Sequence, residues 1–306
     1  MSVVSLGSIN MDLVVRTPRF ANPGETLVGL DFYTAPGGKG ANQAVSVGRL
    51  GVDALMFGRI GNDFFGKNLL DNLRENNVGV DGIKTDDTLP TGTALITVDN
   101  NAENTIIIIP GSNGAVGDPE IKDLIPFLKK TDILMLQLEI PLDTVVAAAK
   151  LAKESGVKVL LDPAPARELP EGLLKLCDII TPNETEAELL TGVKVNSFDD
   201  AKKAAEILLI RGVQSVIVKM SSQGSYYYDG TTEILFSAYK VDAVDTVAAG
   251  DAFNGGFAAA FSEGKTIEET LQWANACGAL STKKSGAQPS MPSRKELISF
   301  MKENPR

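Results

Sequence analysis

Histidine is absent from all 306 residues of the chain. That absence removes Ser-His-Asp and Cys-His mechanisms and every metal site built on imidazole. A general base must then be a carboxylate, a lysine, a tyrosine or a cysteine. Cysteine is scarce too: Cys177 and Cys277 stand far apart in no metal-ligand spacing, so neither a disulfide framework nor a zinc site is expected. No apolar run reaches membrane-spanning length, and the chain reads directly into Val3-Val4-Ser5-Leu6-Gly7 without a basic leader. The expectation is a cytoplasmic protein with no membrane partner. Excess positive charge is missing as well. A net charge of −10 argues against nucleic acid as a partner, which needs a basic surface, yet leaves room for a small anion in a local site.

What is present is enough apolar sequence, 43% of residues, for one large α/β domain with a small appended unit. The stretch from Asp245 to Gly256 organises it. A carboxylate and a hydroxyl (Asp245, Thr246) are followed by Val247 and the small residues Ala248, Ala249 and Gly250, then by a second carboxylate, Asp251. Helical spacing of Phe253, Phe257 and Phe261 begins there. A helix N-terminus offers N–H donors and partial positive charge to an anion, with Asp251 in its first turn. Donors for a moving negative charge beside a base are what phosphoryl transfer to an alcohol requires. Plain helix capping accounts for the same residues taken alone.

In chain order, Val3 to Ile9 reads as a buried strand, with Asn10 and Asp12 just past its end, where open α/β sheets place ligands or where turns use Asn and Asp. From Leu13 to Tyr33, extended pieces (Leu13-Val14-Val15, Thr26-Leu27-Val28-Gly29) flank the turn Asn22-Pro23-Gly24-Glu25. From Thr91 to Ile109, two strands flank a turn at Asp99–Asn104, a hairpin pattern. These β-rich inserts suggest a small sheet standing off the main domain. Between them, Pro36-Gly37-Gly38-Lys39-Gly40-Ala41-Asn42-Gln43-Ala44 leads into a helix. It is not a Walker A loop, because Lys39 is followed by Gly40. Alternating strands and helices follow, with strands such as Val157–Leu161 apolar throughout, so the fold class is a doubly wound α/β sandwich. Glu139, Asp162 and Asn183 each follow a strand. Asn183 and Glu186 share the face of a starting helix and would organise a hydrated magnesium ion or form a capping box.

Together these runs, with Leu161–Arg167, Thr181–Glu188 and Gly286-Ala287-Gln288-Pro289-Ser290, resemble the ribokinase family of carbohydrate kinases over nearly the whole chain. The resemblance implies a three-layer α/β core (1–12, 37–90 and 111–306) with a β-sheet lid (13–36 and 91–110) that also joins two subunits. It implies ATP and a sugar, D-ribose foremost, as substrates, with Mg²⁺ and K⁺. Another furanose or nucleoside kinase (deoxyribose, fructose) and a non-catalytic sugar-binding protein are the alternatives; an intact Asp251 argues against the last. Residue by residue, it implies that Asn10, Asp12, Gly38, Lys39, Asn42 and Glu139 hold the sugar. Asp251 would be the base, and the backbone of Ala248, Ala249 and Gly250 the anion hole. Asn183, Lys219, Ser221, Gly224, Gly250 and Asn275 would lie at the nucleotide, with Glu186 on magnesium through water. Peptide units that aim N–H groups at a phosphate aim their carbonyls behind it, which suits a hard cation. The family makes this potassium, with Asp245, Val247, Ser281, Lys284, Gly286 and Ser290 as ligands. Two residues depart from the family's glycine: Ala248, an alanine that the ribokinase branch tolerates, and Ser221, which is expected to cap its loop. The apolar run Ile106–Ile109 suits a subunit contact better than an exposed edge.

Overall fold

Apolar side chains alternate across the central strands, and the alternation sets the layers. Val3, Met135, Leu160, Ile179 and Ile217 face one way, while Val4, Leu134, Leu136, Val159, Leu161, Ile180, Val216 and Val218 face the other. Both sets are buried, so the sheet needs helices on each side. The computed structural model describes residues 2–101 and 103–306.

Strand β1 (Ser2–Leu6) leads to β2 (Asn10–Arg16), β3 (Asp31–Gly37) and helix α1 (Lys39–Arg49). Then come β4 (Asp53–Gly61), α2 (Phe64–Glu75), β5 (Val78–Asp86), β6 (Gly92–Val98) and β7 (Asn104–Ile109). Next are α3 (Asp118–Leu128), β8 (Ile133–Leu136), α4 (Leu142–Glu154), β9 (Lys158–Leu161), α5 (Glu171–Leu174) and β10 (Ile179–Ile180). They are followed by α6 (Glu184–Thr191), α7 (Phe198–Ile210), β11 (Ser215–Lys219), β12 (Gly224–Tyr228) and β13 (Glu233–Ser237). Helices α8 (Ala249–Ser262), α9 (Ile267–Ser281) and α10 (Arg294–Glu303) complete the order.

Nine strands form the main sheet in the order β13-β12-β11-β10-β9-β8-β1-β4-β5, and only β12 runs against its neighbours. Helices α1, α2, α8, α9 and α10 cover one face, and α3 to α7 the other. The order of connection reverses at β1, with β4 on one side and β8 on the other, so the ligand crevice is expected beyond the carboxyl ends around it.

A second sheet, β3-β2-β6-β7, stands apart from the first. Its exposed residues include Phe32, Tyr33, Leu95 and the run Ile106 to Ile109. Two expectations are corrected. Thr26–Gly29 is a loop with Val28 82% exposed, and the partner of β2 is instead β3, where Tyr33 and Phe32 pair with Val14 and Val15. The first strand stops at Leu6 rather than Ile9, because the chain there leaves one sheet for the other: Asn10 already pairs with Gly37 and Gly92. The hairpin turn at 99–104 is closed by the Asp99 N–H donating to the Glu103 carbonyl; Ala102 lies outside the described residues. Both cysteines are buried free thiols, and among the described residues no helix is long and apolar enough to cross a membrane.

Candidate active site

Helix α8 begins abruptly. Ala248, its N-cap, lies in the left-handed region at φ 59°, a conformation that costs a non-glycine residue roughly 1–2 kcal/mol. The first N–H groups of a helix have no intrahelical acceptor, although that of Ala249 donates to the Thr246 carbonyl at 3.2 Å. Lys219, at the end of β11, brings its ammonium to this helix start: Nζ lies 3.3 Å from where a Cβ on Gly250 would stand. Asp251 is buried beside it. Asn42 Nδ2 donates to its Oδ2 at 2.9 Å, and Gln43 Nε2 donates to its Oδ1 at 3.0 Å. Burial raises the Asp251 pKa, with Asp162 adding to the rise, while Lys39 and the two amides oppose it. A carboxylate so placed can receive a proton next to a site for negative charge.

The opposite wall comes from β2, the start of α1 and the loop after β8. Gly38 adopts φ 87°, and a Cβ there would stand 2.7 Å from the Asn10 nitrogen, so the α1 start packs directly on the strand that carries Asn10 and Asp12. Gly37 lacks the side chain that would collide with the Asp12 carboxylate. Burial, with Glu139 and then Asp251 nearby, pushes the Asp12 pKa up to about 7. Glu139 is held from two sides: its Oε2 accepts from Ser8 Oγ at 2.5 Å and from the Lys39 N–H at 3.2 Å. Burial alone would depress the Lys39 ammonium, but Asp251, Asp162, Glu139 and Glu186 outweigh it and hold the pKa above its ordinary value. That one lysine therefore marks the convergence of both walls.

Beyond β10, Asn183 and Glu186 form a reciprocal capping box at the start of α6. The box does not exhaust the carboxylate. Burial raises the Glu186 pKa, Lys219 opposes the rise and Asp162 adds to it, so all three charges share one region. Lys219 Nζ donates to Asp162 Oδ1 at 2.9 Å. Asn275 lies farther along, with Nδ2 bonded to Ser225 Oγ and to the Leu271 carbonyl, each at 2.8 Å. Gly224, at φ 111°, abuts the Phe236 carbonyl. Ser221 corrects an expectation. Its side chain is exposed and makes no hydrogen bond among the described residues, so it caps nothing; at φ 45° it occupies a backbone region that favours glycine.

The residues assigned to the cation form a separate cluster behind α8. Asp245 ties two loops together, Oδ1 accepting from the Val247 N–H and Oδ2 from the Gly286 N–H, both at 2.9 Å. Ser281 and Ser290 are buried. The Lys284 ammonium pairs with Glu296, 2.7 Å distant.

Sequence reasoning gave no role to three buried amides. Gln43 and Gln137 lie behind Asp251, and Gln288 donates to Asn42 Oδ1 at 3.1 Å. Asn113 is a fourth omission; it donates to Asn10 Oδ1 at 2.7 Å and fixes that side chain. Their signal is weak: an amide among small and apolar residues at helical or strand spacing.

A model of the pfkB family carbohydrate kinases matches residues 1–294. The chain is 41% identical over 296 residues to ribokinase of Haemophilus influenzae, with 97% of each chain covered. It is 36% identical over 305 residues to deoxyribokinase of Salmonella typhi, covering 99% of this chain and 100% of that one. Among solved structures, Arabidopsis thaliana ribokinase complexed with ribose and ATP has a TM-score of 0.91 at 35% identity, with 98% of both chains covered.

Proposed function

This chain belongs to the pfkB family of carbohydrate kinases, and from that membership and the site above we infer that it transfers the γ-phosphoryl group of ATP to the 5-hydroxyl of D-ribose, giving D-ribose 5-phosphate. The observation that carries the reading is the buried Asp251 carboxylate in the first turn of α8, with the Lys219 ammonium beside Gly250. Asp251 takes the proton of the attacking hydroxyl. The N–H groups of Ala248, Ala249 and Gly250, with Lys219, hold the charge of the transferring group. Asn10, Asp12, Gly38, Lys39, Asn42 and Glu139 surround the sugar; Asn183, Ser221, Gly224 and Asn275 lie along the nucleotide. The chemistry is cytoplasmic, where ATP is supplied. Because a deoxyribokinase matches nearly as well, kcat/KM for D-ribose, 2-deoxy-D-ribose and D-fructose with ATP tests the assignment. D-ribose should rank first; a preference for either other sugar would replace it.

Asp12 makes ribose binding pH-dependent. An ionised carboxylate accepts from sugar hydroxyls, whereas a protonated one loses part of that capacity. With the pKa raised to about 7, the ionised form gains as pH rises. Ribose affinity measured by calorimetry should therefore increase from pH 6 to pH 8, and Asp12→Asn should flatten the dependence. A flat wild-type profile would remove Asp12 from the sugar contacts.

The oxygen donors fit both cations of the family. Glu186 presents a hard carboxylate, through water, to a magnesium ion, which would neutralise charge on ATP when bound. Asp245, with oxygens of Val247, Ser281, Lys284, Gly286 and Ser290, fits potassium, since its carboxylate already joins the two loops while the Lys284 ammonium pairs with Glu296. Fixing that turn orders the N–H groups of Ala248 to Gly250. Adding K⁺ at constant ionic strength should raise the rate and protect the 245–250 and 281–290 segments from hydrogen exchange. Asp245→Ala should abolish both responses; a wild-type enzyme indifferent to K⁺ would refute the site.

The four-stranded sheet serves as lid and dimer contact. It carries Asn10 and Asp12 itself, so closing it over the sugar excludes water from the reaction. The exposed isoleucines of β7 give it an apolar surface for a second subunit. Light scattering at micromolar concentration should find a dimer, and a monomer would contradict this use of the sheet.

A further inference from the structure

Gln43 has no role in the account so far, although it joins more of the site than any other side chain. It is fully buried in α1. Its single amide nitrogen donates to two carboxylates carried by distant parts of the chain, Asp251 Oδ1 at 3.0 Å and Asp162 Oδ2 at 2.9 Å. Its Oε1 accepts from Gln137 Nε2 at 2.7 Å. Chemistry fixes this orientation. Ionised carboxylates can only accept, so the NH₂ group of Gln43 must face them, and Gln137 must then present its own NH₂ to Gln43 Oε1. Among the described residues the arrangement leaves Gln137 Oε1 as a buried acceptor without a partner, pressed over Gly7, where a side chain would collide with it. An unpaired buried acceptor opposes folding, and an apolar residue at 137 would only move that deficit to Gln43 Oε1, which would lose its donor. What the glutamine provides is a fixed Gln43.

Asp162 extends the chain of contacts, because its other oxygen accepts from Lys219 Nζ at 2.9 Å. One amide thus connects the base at α8 to the cation at the start of the same helix. Charges facing this region come from every wall: Lys39 on α1, Asp12 on β2, Glu139 after β8, Asp162 after β9, Glu186 on α6 and Lys219 on β11. The two N–H donors of Gln43 bridge Asp251 and Asp162, two carboxylates that otherwise repel each other.

We propose that Gln43 is a positioning residue for phosphoryl transfer, holding the Asp251 carboxylate toward the acceptor hydroxyl and locking it, through Asp162, to the Lys219 ammonium. It touches no substrate and acts through those two groups. The proposal rests on Asp251 being the base.

Gln43→Met keeps the length of the side chain and removes both donors. Misplacement on the ångström scale costs up to about 100-fold, so kcat should fall by about 10–100-fold while KM for sugar and ATP stays within about threefold. Hydrogen bonds to the charged form lower the pKa of Asp251, so the acidic limb of the kcat/KM profile should move up by about one pH unit. Gln137→Met keeps Gln43 but frees its amide, and should shift the limb the same way by less, with thermal stability near or somewhat below wild type because Gln43 Oε1 loses its donor. A folded Gln43→Met enzyme with wild-type kcat and an unmoved limb would overturn the proposal, as would a loss confined to KM or to stability. Should Gln43→Met fail to fold, an unmoved limb in Gln137→Met overturns it alone. A wild-type protein that phosphorylates no sugar would instead refute the functional reading beneath it.

Discussion

Asp251→Asn will give a folded enzyme that binds ribose and ATP yet turns over about 10²–10⁴-fold more slowly, the usual range for losing a general base. The substitution preserves shape and removes only the proton acceptor. Three features of the wild-type group make the loss large. Burial raises its pKa, which brings the base closer in strength to the proton it must take. Asn42 and Gln43 occupy one side of each oxygen, so the carboxylate cannot turn to find another role. No histidine exists anywhere in the chain to substitute for it. Measuring kcat beside unchanged circular dichroism and unchanged ribose affinity checks the point. A kcat within a few-fold of wild type would mean that Asp251 is only a helix-capping residue.

Lys219→Met carries the second large effect, and it separates catalysis from stability. Removing one donor from an anion-stabilising site costs about 10²–10³-fold in kcat. The same change strands Asp162, which is 2% exposed and loses its ion-pair partner. Removing one member of a buried pair costs about 3–5 kcal/mol of stability. Both losses are expected in the single variant. Adding Asp162→Asn should restore much of the stability, because the stranded charge is gone, without restoring the rate, because the ammonium is still missing. Full recovery of turnover in the double variant would show that Lys219 serves the fold alone.

The sequence exposed the groups that sit at ends of elements. Asn10, Glu139, Asp162 and Asn183 are legible because a polar residue directly after an apolar run marks the ligand edge of a parallel sheet. Asp251 is legible because small residues and a helical pattern meet there. The family resemblance added Lys219, whose position at a strand end has no distinctive spacing. Buried amides were not legible. Gln43 follows Asn42 in a helix of small residues, and its partners lie 119 and 208 positions away, a relation that only tertiary packing creates.

Secondary structure failed in places for equally local reasons. Thr26–Gly29 looks extended but pairs with no strand among the described residues, whereas Asp31–Gly37 pairs along its length with β2. Strand β5 carries Gly79, Asp81 and Gly82, residue types depleted in strands, yet Gly82 leaves space for the Phe57 ring of β4. Strands β12 and β13 lie beyond the parallel repeat, and so the alternation of strands and helices did not announce them. The left-handed backbone at Ser221 and Ala248 is equally hidden, since neither side chain advertises the conformation it adopts.

The most direct test of the account is to incubate the wild-type protein with ATP, Mg²⁺, K⁺ and D-ribose and follow the phosphorus NMR spectrum. The expected result is a single sugar monophosphate, coupled to the protons on carbon 5, appearing in step with ADP. ADP accompanied only by inorganic phosphate, or a phosphate attached at another carbon, would contradict it.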